Sequence, residues 1–282
     1  MTWQVGDVTV TKLTELEMHW PFHVLLPGAE DLLDGHDWLR PDFVADDGRM
    51  KLSMHALAVR TAESTIIVDT CVGNGKSRPG APPFDNLESD FLADITAARF
   101  GSDDVDTVVC THLHVDHVGW NTHLVDGAWV PTFGRAQYLF VTEEFEYWRD
   151  EPQDFGPVFE DSVQPVVDAG LSRLVAADHR VDSEVRLEPT PGHTPGHVSV
   201  VISSGGECAV ITGDMTHHPV QFAHPDLASI ADWSQEGSSA TRRAAYERWS
   251  DGRLVIGTHF AGRTAGRIVA DGDAWRFDVD YG

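Results

Sequence analysis

Short β-branched runs bounded by turn residues recur along the chain. Val5–Val10, His55–Arg60, Thr65–Asp69, Asp106–Cys110, Gln137–Phe140, Val185–Glu188, His197–Ile202, Cys208–Thr212, Arg253–Thr258 and Ala274–Val279 each read as a strand. "SSGGE" around Gly205 and "DGD" around Gly272 read as hairpin turns. Between the strands the apolar period lengthens. Asn86–Phe100 places Leu87, Phe91, Ile95 and Ala98 at helical steps, which predicts a helix with one buried face and a stop at Gly101. Thr142–Arg149 and Glu236–Trp249 predict two further helices, and Asp161–Ala169 a weaker one.

The order is rhythmic. Each half of the chain has a pair of strands, then a strand that runs into a loop rich in metal-type ligands. Two sheets packed face to face, with helices outside, accommodate that order. There is no low-complexity tract, Pro/Ser linker or strict repeat, so one domain over residues 1–282 is expected. Met18–Met50, rich in aromatics, Pro, Gly and Asp, departs from the pattern and reads as a covering loop near the site.

Composition narrows the partners. Lys plus Arg number 20 against 45 Asp plus Glu, a formal net charge of −25. Such a chain repels a phosphate backbone, and its densest basic patch, Thr241–Trp249, reads as a solvated helix face. Nucleic acid is therefore not the expected partner; a small molecule is. The three cysteines, Cys71, Cys110 and Cys208, are widely spaced with no CxxC, which reads as buried thiols in a reducing compartment. The N-terminal segment lacks the features of a signal peptide, and no apolar run approaches the roughly 18 residues of a membrane span. A cytoplasmic protein without membrane contact is the expectation.

The chemistry concentrates in "VVCTHLHVDHVGW". If the backbone stays extended beyond Cys110, His112, His114 and Asp116 point to one side, because strand side chains alternate. His117 then approaches from the turn, and Gly119 permits a tight bend. Two imidazoles can hold one divalent ion, and Asp116 with His117 a second. A solvated polar loop is the plainer alternative. Three later positions argue against it. His193 lies in the Gly/Pro-bounded turn of "PTPGHTPGH", Asp214 just past the apolar strand of "AVITGDM", and His259 at the end of "LVIGTHF".

This ordered set resembles the metallo-β-lactamase superfamily, roughly from Leu57 to Phe277. The resemblance implies an α+β fold, a four-layer αββα sandwich with metals at one edge between the sheets. It implies His112, His114 and His193 as ligands of one metal, Asp116, His117 and His259 as ligands of another, and Asp214 as a bridge. Two divalent ions follow, with Zn²⁺ the best fit to mixed N/O donors; Mn²⁺, Fe²⁺ and Co²⁺ are compatible with the same ligands. The context "HVGWN", "GDMTHHPVQ" and "THFAGRTAGRI" is similar to the lactonase and methyl parathion hydrolase branch. The implied reaction is attack by a metal-bridging hydroxide on an ester-type bond, a lactone or carboxylic ester first, an organophosphate triester second.

Residues just outside the ligands are expected to set specificity. Asp116 is a candidate to orient the nucleophile as well as ligate. Acyl-homoserine lactonases of this branch carry a Tyr three residues after the bridging Asp; here the position is His217, a candidate catalytic donor, as in methyl parathion hydrolases. Trp120, Phe22 and Phe222 are candidates for the substrate wall, with His23, Phe155 and Phe159 weaker ones. Alternatives on the same fold are a thioester hydrolase, a mononuclear iron dioxygenase and, less favoured, a β-lactamase. A homodimer is implied by resemblance alone.

Overall fold

A computed structural model describes residues 1–280. Fifteen strands run in order as β1 (Thr2–Val5), β2 (Val8–Trp20), β3 (Met50–Arg60), β4 (Thr65–Val68), β5 (Thr107–Val109), β6 (Thr122–Val125), β7 (Ala128–Pro131), β8 (Gln137–Val141), β9 (Ser172–Val175), β10 (Val185–Pro189), β11 (Val198–Ser204), β12 (Glu207–Ile211), β13 (Leu254–Ile256), β14 (Ala265–Asp271) and β15 (Ala274–Asp278). Six helices are α1 (Phe91–Ala97), α2 (Thr142–Asp150), α3 (Val158–Ser162), α4 (Gln164–Asp168), α5 (Val220–Ala223) and α6 (Gln235–Trp249). Among the described residues no helix is long and apolar enough to cross a membrane.

One sheet has the order β1-β2-β3-β4-β5-β8-β9, the other β10-β11-β12-β13-β14-β15, and β6-β7 form a separate hairpin. Alternation along the strands shows why both faces of each sheet must be covered. Leu57 and Val59, Ile66 and Val68, and Val109 enter the core shared with Val198, Val200, Ile211 and Ile256 of the second sheet. Their neighbours Ala56, Ala58, Ile67 and Val108, and across the sandwich Val201, Val210 and Val255, enter a second core that holds the helix residues Phe91, Ile95, Val166 and Trp249. Strands apolar on both faces therefore build the four-layer αββα sandwich.

Several local expectations are corrected. Val5–Val10 is interrupted at Gly6 and Asp7, where Gly6 turns at positive φ into the β1-β2 hairpin. A Cβ on Gly6 would meet the Ser204 carbonyl at 2.2 Å, so side-chain clearance adds to the turn's demand for glycine. Strand β2 continues through Met18–Trp20 by pairing with β3, so the irregular segment begins at Pro21. That segment, residues 21–49, buries Phe22, Leu26, Leu39 and Phe43 in the helix-side core. The helix foreseen over Asn86–Phe100 is limited to α1. Asn86 adopts φ +50° and donates to Lys76 O, and Ser89 donates to Asn74, so these residues brace a loop instead. The helix ends at Ala97, and the residue that turns the chain at positive φ is Arg99 (φ +64°), with Phe100 N–H returning to Ile95 O, rather than Gly101. Asp161–Ala169 divides into α3 and α4.

Candidate metal centre

Every ligand candidate sits just past the end of a strand, at one edge of the sandwich. Strand β5 ends at Val109, and the chain then coils, with His117 N–H donating to His114 O. The extended alternation assumed for His112, His114 and Asp116 is therefore wrong. The loop curls instead, so His112 and His114 join His193 while Asp116 joins His117 and His259. His193 follows β10, Asp214 follows β12, and His259 follows β13.

The first group is a triangle of nitrogens. His112 Nε2 lies 3.1 Å from His114 Nδ1 and 3.2 Å from His193 Nε2, and the last two atoms are 2.9 Å apart. The second group surrounds carboxylates. His259 Nε2 is 3.0 Å from Asp214 Oδ2 and 3.5 Å from Asp116 Oδ2. His117 Nε2 is 3.3 Å from Asp214 Oδ2 and 3.7 Å from Asp116 Oδ1. Asp214 also reaches the first group, 3.6 Å from His193 and 3.9 Å from His112.

The partners behind the rings fix the proton positions. His193 Nδ1 faces the Asp232 carboxylate at 3.0 Å and must donate to it. His117 Nδ1 donates to Asp69 Oδ2 at 2.9 Å, and His259 Nδ1 donates to the Ser53 carbonyl at 3.3 Å. The Thr111 hydroxyl gives its proton to Asp69, so its oxygen accepts from His112 Nδ1 at 3.1 Å. With those N–H groups directed outward, four inner Nε2 atoms face one another and Asp214, where a proton or a cation must sit between them. Crowded acceptors of this kind repel unless a cation lies among them. Buried His117 Nε2 and Asp214 Oδ1 have no hydrogen-bond partner and are free to act as donors to a cation. The donor set therefore fits divalent metal ions.

The two groups differ electrostatically. Burial holds His112, His114 and His193 below the ordinary imidazole range, His114 at about 4, so they are neutral near pH 7 and able to act as ligands. Burial also opposes charge on His117 and His259, but Asp214 and the neighbouring carboxylates outweigh it and push both upward. Burial would raise Asp214, yet His117, His259 and His217 hold it well below the carboxylate range.

His217 joins the cluster, with Nε2 3.4 Å from Asp214 Oδ2. The proposed substrate wall is placed differently. Trp120 is 3% exposed, its ring stacked on Phe91 and its N–H held by Glu15 Oε1 at 2.6 Å, because the turn at Gly119–Asn121 folds the chain back into the core. Phe22 packs edge-on against His218, and Phe222 stacks on Phe277 and contacts Tyr246. All three are core residues. Phe155 and Phe159 pack at the margin of the same core, and His23 is exposed. The ring beside the ligands is Trp148, 5.1 Å from His114.

Several residues that hold the ligands were not foreseen. Glu144 accepts from Leu113 N–H, Trp148 Nε1 and Gly196 N–H, tying the first histidine loop to the His193 loop. His197 Nε2 accepts the Asp214 N–H at 2.8 Å and anchors the shared carboxylate. Asp69, Asp232 and Ser53 orient rings from behind. "VDT" after an apolar strand was a usable signal for Asp69, and the second His of "PGHTPGH" for His197. Asp232 and Glu144 have no local signature.

Residues 53–250 match the model of the family described as the metallo-beta-lactamase superfamily. An N-acyl homoserine lactonase from a Bacillus species is 26% identical over 169 residues, 55% of this chain and 60% of that protein. A Mycobacterium tuberculosis protein named "Probable metallo-hydrolase" is 29% identical over 183 residues, 59% of this chain and 58% of its own length. The chain thus spans about three fifths of the curated relatives it matches. The solved structure of AidC, a dizinc quorum-quenching lactonase in complex with a product, superposes with a TM-score of 0.81 at 19% identity, covering 100% of this chain and 97% of that one.

Proposed function

The chain belongs to the metallo-beta-lactamase superfamily, and on that premise we propose that it is a divalent-metal-dependent hydrolase of ester-type bonds. Lactones and carboxylic esters are the first substrate class, and aryl phosphotriesters the next. The observation that carries the reading is the convergence of four imidazole Nε2 atoms on Asp214, each ring held by an acceptor behind it. Similarity to an N-acyl homoserine lactonase and to a lactonase structure supports the lactone class.

His112, His114 and His193 would hold one ion, and Asp116, His117 and His259 a second, with Asp214 shared. Zinc suits these mixed nitrogen and oxygen donors. Bound there, the ions supply a water of lowered pKa and polarise the acceptor oxygen of the substrate. The protein's task is then positioning. Asp116, with a side chain 15% exposed, is the carboxylate on the open side and can accept a proton from an incoming water. Trp148 flanks His114 and gives an apolar body to the approach. Cys71 and Cys110 are poor nucleophiles: both are buried, and burial pushes both thiols up, away from thiolate at neutral pH.

The test is metal analysis of the purified protein together with a panel of lactones, aryl esters and aryl phosphotriesters near neutral pH. Close to two equivalents of metal are expected, with turnover of at least one class and none in His114→Ala. Turnover of no panel member removes the reading, and full activity of His114→Ala removes the site assignment.

A further inference from the structure

His217 is a histidine with nothing to bind. Its side chain is 2% exposed, and neither Nδ1 nor Nε2 has a hydrogen-bond partner. An imidazole must present at least one N–H, and leaving such a group buried and unpaired costs about 1–3 kcal/mol. The ring is nonetheless firmly placed. Gln221 Oε1 accepts the backbone N–H of both His217 and His218, at 2.8 and 3.2 Å, and Gln221 Nε2 donates to Leu227 O. The ring plane lies parallel to that of His259, 3° apart with centroids at 6.2 Å, and its centroid is 4.7 Å from that of His193.

Placement and vacancy of partners point the same way. Ligand atoms of His193, Asp214 and His217 lie within 4.8 Å of one another, the same closeness that groups the other donors. Resting on the metal-centre reading above, we propose that His217 is a further metal donor, added on the His193 side of Asp214. A role in touching substrate from solvent fits less well, because the ring is covered while Asp116 occupies the open side.

The addition has a chemical consequence. His112, His114, His193 and Asp214 already make four donors, the complement of a closed zinc site. A fifth donor suits ions that take five or six ligands, such as Mn²⁺, Fe²⁺ or Co²⁺. His217 also differs from His112, His117, His193 and His259 in having no acceptor behind it, so its tautomer is free to follow the ion.

The experiment strips the protein with a chelator and titrates it with Co²⁺ alone, reading bound equivalents by equilibrium dialysis and the visible absorption of the bound ion. Wild type, His217→Ala, His217→Leu and His114→Ala are compared, with the metal-free thermal transition checking the fold of each. The His217 variants are expected to keep the transition, to lose affinity about tenfold or more at one of the two ions, and to change its absorption band. Leu keeps the bulk that Ala removes, so either folded variant decides. Unchanged affinity and spectrum in a folded His217 variant overturn the proposal and leave the centre intact. Failure of wild type to bind Co²⁺, or binding by His114→Ala equal to wild type, overturns the centre itself and the proposal with it.

Discussion

The Asp69 carboxylate lies 2.9 Å from His117 Nδ1, and the same Oδ2 lies 2.9 Å from the Thr111 hydroxyl that accepts from His112. One side chain at the end of β4 therefore sets the proton positions of two candidate ligand histidines that belong to different donor groups. Its other oxygen accepts the Thr111 backbone N–H at 2.8 Å. Asp69→Asn keeps the shape but can turn an N–H toward His117 Nδ1. The imidazole then carries its proton on Nε2, aimed into the centre where a lone pair is needed. Metal affinity is expected to fall about 10–100-fold with the fold retained. Equilibrium dialysis against Zn²⁺ measures it, and an unchanged affinity contradicts the orienting role.

Trp120 separates stability from catalysis. Its indole N–H reaches Glu15 Oε1, and Glu15 also accepts from the Val72 and Gly73 backbone and from Ser89. Glu15 is the extra residue where the β2-β3 register shifts between Thr14 and Leu16. Trp120→Phe leaves a buried carboxylate one donor short, a loss of about 1–3 kcal/mol. Urea unfolding of the metal-loaded protein is expected to show that loss while KM stays at the wild-type value. A raised KM with unchanged stability would return Trp120 to the substrate wall.

Most strands were legible as β-branched runs between turn residues, but β6, β7, β9 and β14 were not, the first three being short with few buried residues. The ligand candidates were legible because His112, His193, Asp214 and His259 each follow an apolar strand or a Gly/Pro turn closely, in a fixed order. Side-chain direction was not. The alternation rule assumed an extended chain past Cys110, whereas the chain coils there, so Asp116 belongs with His259 rather than His114. The wall aromatics are placed differently for a related reason: Trp120 and Phe222 follow ligand candidates in sequence and Phe22 lies in the irregular segment, but neither fact says which side of a turn a ring takes. Residues behind the ligands, such as Asp232 under His193, come from segments with no local pattern and are found only through the fold.

Gly119 reports on how the histidine loop is docked. A Cβ at this position would lie 1.8 Å from the Val72 carbonyl oxygen and 2.0 Å from its carbon. Both atoms are backbone, and Gly119 N–H already donates to Cys71 O, so neither strand of this contact can yield cheaply. Gly119→Ala is expected to lower the thermal midpoint sharply and to lose metal together with structure. Circular dichroism and metal content measured on the same sample check it. A variant with wild-type melting and full metal content would show that the two loops do not need this approach.

Lys76 gives a pH dependence away from the metal centre. Its ammonium is buried, 3.8 Å from the Trp129 ring centroid, and donates to Thr122 Oγ1 and Asp161 O. Burial lowers it from 10.5 to about 8; nearby Asp161 opposes the shift and Arg78 adds to it. Between those two values the folded chain binds fewer protons here than the unfolded chain, so this group makes stability rise with pH. Across about pH 7.5 to 9.5 the gain is on the order of 1–2 kcal/mol. Lys76→Met removes the titration and leaves Arg78 paired with both Asp161 oxygens at 2.7 Å. Urea midpoints of wild type and variant at the two ends of that interval isolate the contribution, since all other alkaline titrations are common to both proteins. Wild type is expected to gain on the variant as pH rises. Parallel curves would mean that Lys76 keeps an ordinary affinity for its proton despite its burial.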